Sequence, residues 1–208
     1  MEQQHRTAET KKLEQAAADA GPVARFDIAV IEALEPYCDN AMVKAVGKAS
    51  ELADQPPLVT ASALTLAAGL ATGRPALART GARMLAAHAL ATLIKTVIKD
   101  RVDRTRPAEV VKKGKHEVKP GRSKAPEKRS FPSGHSAGAL AVARAVAREN
   151  AGAGRIALPL AAAASAIQVP RKTHFPSDVL AGAAIGLVAE ALVATIFARA
   201  GWSARRKR

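Results

Sequence analysis

Two histidines, a carboxylate and several cations stand at the ends of apolar segments in this 208-residue chain. They fall in three clusters: Lys99 with Arg106-Pro107, then Pro132-Ser133-Gly134-His135, then His174 with Asp178. This set can break a phosphate ester without a metal: one histidine as nucleophile or base, a second as acid, and fixed cations to neutralise phosphoryl oxygens. His174 and Asp178 flank Pro176, which suits the first position of a helix. Asp178 then falls in the first turn, within reach of the His174 ring, where a carboxylate fixes the tautomer and leaves the other nitrogen free. Ser133 precedes an alanine-rich run and reads as an N-cap, with His135 in the first turn. Backbone N–H groups at such a helix start suit a phosphate, and Gly134 lets a ligand come close.

Lys99 and Arg106 are seven residues apart, which is one face of a helix to within about 20° if the helix extends that far. His88 and Lys95 continue the same stripe backwards. Ionisable groups are costly against lipid, so the stripe should face an interior or the mouth of a cavity. Pro107 is expected to end the helix at Arg106. Plainer roles are open to some of these residues: Lys95 can snorkel or pair with Glu190, and His88 can be a satisfied interior histidine. Asp178 as a mere helix-start residue would leave His174 at the same rim unexplained. Two histidines and an aspartate from distant segments carry no metal-ligand spacing, so neither metal nor other cofactor is expected.

The elements that must position these clusters are apolar and rich in alanine. Aromatic residues make up only 3% of the chain, and this scarcity of strand formers favours helices over sheets. Apolar stretches run over 58–72, 84–98, 136–147, 156–169 and 179–198, after a polar tail at 1–22 and a weakly apolar helix at 23–49 interrupted near Pro36. A basic loop fills 100–131, of which 112–129 reads as a mobile connector, and a basic tail closes the chain at 201–208. The expected fold class is all-α: a membrane-embedded bundle of about six helices over residues 23–200, with its active site at the extracytoplasmic rim. Only 179–198 approaches the roughly 20 residues needed to cross a bilayer, so a soluble helical bundle is the competing architecture.

Loop charge favours the membrane. With Arg205, Arg206, Lys207 and Arg208 inside, alternate crossings bring Arg74, Arg79, Arg83, Arg144, Arg148 and Arg155 to the same side. Both termini are then cytoplasmic, and the 100–131 loop is an exception held outside. Cys38 is the only cysteine, which leaves neither a disulfide nor a cysteine metal site. The net charge of +14 suits a phosphate-bearing substrate or an anionic membrane. The basic stretches have almost no aromatic residues for base stacking, so nucleic acid is not expected as a partner.

Taken in order, Lys99 with Arg106-Pro107, Pro132-Ser133-Gly134-His135, and His174-x-x-x-Asp178 followed by Val179-Leu180-Ala181-Gly182 resemble the three-part signature of the type 2 phosphatidic acid phosphatase superfamily. The resemblance spans residues 99–182, and the flanking apolar helices suit the membrane branch. It implies that His174 attacks phosphorus to give a phosphohistidine, that Asp178 orients it, and that His135 protonates the leaving oxygen and then activates water. It also implies that Lys99, Arg106 and the backbone at Ser133 and Gly134 hold the phosphoryl oxygens. The family's third motif has an arginine six residues before the histidine, where this chain has Gln168. Arg171, about one helical turn further on, is read as supplying that guanidinium, with Lys172 as a second candidate. The implied activity is metal-independent hydrolysis of a lipid phosphomonoester or diphosphate, such as phosphatidic acid, phosphatidylglycerol phosphate or a polyprenyl phosphate or diphosphate. Two alternatives stand beside it. One is a soluble acid phosphatase or vanadate haloperoxidase-like enzyme of the same superfamily; the other is a non-catalytic membrane protein whose basic loop binds anionic lipid or nucleic acid.

Overall fold

The computed structural model describes residues 2–18 and 20–202, with side chains from Ala8 onward; the basic tail beyond 202 lies outside the described residues. The chain forms α1 (Glu2–Ala18), α2 (Pro22–Leu34), α3 (Ala41–Ala49), α4 (Gln55–Ala71), α5 (Pro75–Lys99), β1 (Val102–Arg104), α6 (Pro107–Lys113), β2 (Val118–Pro120), α7 (Gly134–Glu149), α8 (Ala151–Ala166) and α9 (Pro176–Arg199). The all-α expectation holds, but there are nine α-helices among the described residues rather than about six. Part of the 1–22 tail is helical, and the 23–49 segment is two helices. Gly21 in extended conformation and Pro22 at the first helical position start α2, and Glu35-Pro36-Tyr37 turns the chain out of it. Pro107 begins the short α6, which stops at Gly114 in the left-handed conformation, φ 67°.

The path between α5 and α7 departs most from expectation. Helix α5 ends at Lys99, and the chain then runs extended through β1, which pairs antiparallel with β2 so that Val102 faces Pro120 and Arg104 faces Val118. Arg106 is therefore reached through a strand, at φ −75° and ψ 151°, and not by continuing the helical stripe. The 112–129 segment is likewise no structureless connector. It supplies β2 and a 3-10 turn at Pro126–Lys128, and Arg129 ties it back with bonds to Asp100 (2.9 Å) and to the Ser123 carbonyl (3.0 Å).

The chain divides into two compact units. The first comprises residues up to Lys48, Thr96–Ser133 and Ala166–Ala181. Its core is built from Leu13, Ile28, Ile31, Val110, Val111 and Phe175, with α1 packed on α2 and α6. The second comprises Ala49–Lys95, Gly134–Ser165 and the chain from Gly182 on. Its core is mostly alanine, including Ala87, Ala91, Ala137, Ala141, Ala145 and Ala189. Small residues let backbones approach closely there: a Cβ on Gly81 would stand 2.2 Å from the Leu66 nitrogen, and one on Gly186 would stand 2.4 Å from the Ala137 oxygen.

Among the described residues two helices, α5 and α9, are long and apolar enough to cross a membrane. The second of these matches the 179–198 stretch; α5 qualifies because it begins at Pro75, well before the apolar run from 84. Helix α9 also presents Leu180, Leu187, Val188, Leu192 and Ile196 outward. Asp27 of α2 bonds to Ser177 at the start of α9, and 24 helical residues then extend about 36 Å, more than a hydrocarbon core. The 23–49 segment, expected as one interrupted helix, forms α2 and α3 with the turn at Glu35-Pro36-Tyr37 between them.

Candidate active site

In the first unit, the turn before α9 delivers His174. The Gln168 carbonyl accepts the N–H groups of Thr173 (3.1 Å) and His174 (3.2 Å), and Lys172 adopts the left-handed conformation, φ 54°, that such a reversal requires. Pro176 opens α9, and Asp178, third in the helix, reaches back to accept the Phe175 N–H at 2.9 Å. This is half of a capping box, so the carboxylate both starts the helix and stands beside the ring. His174 is 2% exposed and Asp178 fully buried.

The expected histidine–aspartate hydrogen bond is not made. His174 Nδ1 lies 3.7 Å from Asp178 Oδ2, beyond hydrogen-bonding distance. That oxygen instead accepts Ser130 Oγ at 2.5 Å along with the Phe175 N–H, and Oδ1 accepts Arg104 Nη1 at 2.6 Å. Asp178 thus acts on the ring as a nearby charge held in place by three donors. Burial pushes the His174 pKa below its ordinary 6.5, more than the neighbouring Asp178 carboxylate restores, and the charges of Lys99 and Arg106 push the same way as burial. The ring is therefore kept neutral, the form in which imidazole is a nucleophile.

Arg104 is the buried cation beside Asp178 that sequence reasoning did not single out. Its guanidinium is buried over the Phe175 ring, 4.6 Å from the centroid, and bridges two carboxylates: Nη1 to Asp178 at 2.6 Å and Nη2 to Asp27 at 2.6 Å. Ser177 joins the group, accepting Arg104 Nη1 at 2.7 Å and donating its N–H to Asp27 at 3.0 Å and its hydroxyl to the other Asp27 oxygen. A chain of buried charges therefore runs from α2 through Arg104 to Asp178. The available signals were an arginine at every second position of an extended segment, Arg104 and Arg106, and an aspartate beside Ile28 and Ile31 on the apolar face of α2.

The remaining expected residues of this unit are placed as follows. Arg106 Nε donates to the Pro126 carbonyl at 2.8 Å, and Lys99 Nζ to the Arg129 carbonyl at 2.9 Å. Ser133 is buried directly before α7, and its N–H donates to the Asp178 carbonyl at 3.0 Å. The second cluster is thereby fastened to the third, but the Ser133 N–H is taken by that bond and is not open to a phosphate. Arg171 points elsewhere: Nη1 donates to the Gly47 carbonyl at 2.9 Å, and its stem lies on Gly47, where a Cβ would come within 2.8 Å of Cδ. Lys172 pairs with Glu35 at 2.8 Å.

Gly134 and His135 belong to the second unit. His135 stands in the first turn of α7 as expected, with Nε2 2.9 Å from Oδ1 of Asp54, the residue that precedes α4. The Lys95 side chain lies against Gly134, where a Cβ would come within 3.3 Å of it. His88 lies against Gly138 in the same way. Glu190 is paired with Arg148 at 2.6 and 2.9 Å and with Arg83 at 3.7 Å.

The structure resembles one crystal structure throughout its length: that of the first transmembrane PAP2 type phosphatidylglycerolphosphate phosphatase from Bacillus subtilis. The TM-score is 0.66, with 22% sequence identity over 97% of this chain and 98% of that one. At this identity the likeness is one of fold. No curated protein matches the sequence. Residues 80–202, which contain all three clusters and five of the helices in whole or part, match the PAP2 superfamily, and the chain belongs to it.

Proposed function

We propose that this protein is a phosphatase that hydrolyses a lipid phosphomonoester or diphosphate through a phosphohistidine, using its own cations where other phosphatases use a metal. The observation that carries this reading is His174: buried, kept neutral, and set between the fixed Asp178 carboxylate and the charges of Lys99 and Arg106. The His174 nitrogen away from Asp178 attacks phosphorus, and the bond to the leaving oxygen breaks. His135 gives that oxygen a proton. A water then attacks the phosphohistidine, losing its proton to His135, and inorganic phosphate departs with His174 restored. Lys99, Arg106 and the backbone at Gly134 neutralise the phosphoryl oxygens, which is most of what phosphoryl transfer requires. Ser133 contributes by holding the second cluster to Asp178. Arg171 joins the phosphate contacts only by leaving the Gly47 carbonyl.

A lipid substrate is supported by the two apolar helices and by the fold shared with a membrane enzyme whose name gives its substrate as phosphatidylglycerolphosphate. Phosphatidic acid and polyprenyl phosphates or diphosphates are substrates of the same chemistry. The same helices weigh against a soluble acid phosphatase or haloperoxidase-like enzyme. The deciding experiment is phosphate release from a panel of these lipids in detergent with EDTA present, comparing wild type with His174→Ala and Arg171→Ala. Release by wild type and its loss in His174→Ala are expected. Retained release in His174→Ala overturns the mechanism, and full activity in Arg171→Ala removes that residue from it.

A further inference from the structure

We propose that α2 and α3 lie in the plane of a membrane interface, with their outward apolar faces among the acyl chains and their cations at the lipid head groups. The proposal rests on the membrane phosphatase reading and adds a lipid-binding surface to it. A helix on the surface of a globular protein turns its apolar stripe to the core and its polar residues to water. These two helices do not. In α2 the buried residues are Asp27, Ile28 and Ile31. Phe26, Ala29 and Ala33, at spacings of three and four, share the opposite face and are exposed, with Val23 beside them. In α3 the buried residue is Gly47, and Met42, Ala45, Val46 and Ala49 are exposed on the side away from it. Phe26 is 59% exposed and Met42 73%.

Neither helix can cross a bilayer. Their 13 and 9 residues extend about 20 and 14 Å, against a hydrocarbon core of about 30 Å. An outward apolar face on so short a helix, edged by cations, fits a helix lying in the interface. Arg25 stands next to Phe26, and Lys44 and Lys48, four apart, line one edge of α3; all three are exposed. The nearby acidic groups are Glu32 and Asp39, of which Asp39 pairs with Lys44 at 3.2 Å. Tyr37 is exposed in the turn between the helices, and its ring suits head-group level. Lipid is the occupant rather than a second copy of the chain, because α5 and α9 already call for a bilayer and the three cations complement an anionic one.

The inner sides of the same helices hold the turn that carries His174. Asp27 of α2 accepts Arg104 at 2.6 Å and the Ser177 N–H at 3.0 Å. Glu35, in the turn after α2, pairs with Lys172 at 2.8 Å, and the Gly47 carbonyl of α3 accepts Arg171 at 2.9 Å. All of these groups belong to the first unit. A platform resting at the head groups therefore holds residues 171–177 at the depth where a lipid phosphate stands.

Fluorescence quenching tests the proposal on the full chain in vesicles of phosphatidylcholine and phosphatidylglycerol. Trp202 is the only tryptophan, so Phe26→Trp and Met42→Trp are each made in a Trp202→Phe background. Both side chains are exposed, and neither substitution enters a core. Lipids brominated near the head group are expected to quench both variants more strongly than lipids brominated near the chain end, as befits a depth of about 5–10 Å. Absence of quenching at either position overturns the proposal. So does stronger quenching by the deep label, which marks a spanning segment. Quantitative disulfide cross-linking of Met42→Cys between copies in vesicles, in a Cys38→Ser background, marks a dimer seated on this face and overturns it too. A chain that survives a high-salt wash of the vesicles yet shows no quenching sinks the interface alone; one that washes off sinks the membrane reading with it. Neither readout depends on turnover, so phosphate release in detergent tests the phosphatase chemistry separately.

Discussion

His174 combines burial with a fixed neighbouring charge, and its titration gives the sharpest residue-scale expectation. Its pKa lies below 6.5, so the nucleophile stays neutral further into acid than a free imidazole does. The acid limb of kcat/KM is expected below pH 6.5, and a limb above 6.5 in wild type would contradict the assignment. Stability follows the same sign: the contribution is complete above the unfolded value and is lost as pH falls from there through the folded one. Arg104 compensates two buried carboxylates, Asp27 and Asp178. Arg104→Gln should cost about 3–5 kcal/mol, since it leaves both uncompensated. Asp27→Asn should cost less stability, yet lower kcat through the loosened Arg104. Thermal unfolding and phosphate release together separate the two effects, and an Arg104→Gln protein with wild-type stability would contradict this role. The places of His135, His174 and Asp178, the residues proposed for catalysis, were legible in the sequence because each stood at the end of an apolar run. Arg104 was not, because it is one of eleven cations in its loop and only the fold brings Asp27 to it. The 3.7 Å gap between His174 and Asp178 was equally hidden, since it depends on Ser130 and the Phe175 N–H claiming the carboxylate.

At the scale of elements, the alanine-rich runs placed α4, α7, α8 and α9 to within five residues at their ends and caught α5 only from residue 84, nine after its start at Pro75, because alanine favours helix and the bounding Gly, Pro and polar residues stop it. The strand leading to Arg106 was misread as helix. A spacing of seven residues fits a helical face, but Val102–Arg104 gains its partner from β2, fourteen to eighteen residues away in sequence. That pairing is tertiary and leaves no local period. Where α4 and α5 touch, glycine is required: Gly81→Ala would force a Cβ to within 2.2 Å of the Leu66 backbone nitrogen. Overpacking of this kind should destabilise by about 1–3 kcal/mol, measurable as a lower unfolding temperature in detergent. An unchanged temperature would contradict the close approach of these helices.

For the whole molecule, the question is whether charge or insertion holds it at the membrane. A net charge of +14 could bind an anionic surface without any spanning helix. Such binding is screened at 1 M salt, where the Debye length is about 3 Å. Helices α5 and α9 instead predict that the protein stays with the membrane through a high-salt wash and needs detergent for extraction; release by salt alone would contradict insertion. The central claim, transfer of a phosphoryl group to His174, is tested most directly by rapid quenching during turnover of a phosphate-labelled lipid. The expected result is an acid-labile, alkali-stable phosphoprotein that maps to His174 and is absent from His174→Ala. Phosphate release by wild type with no such species, or with label on another residue, would contradict it.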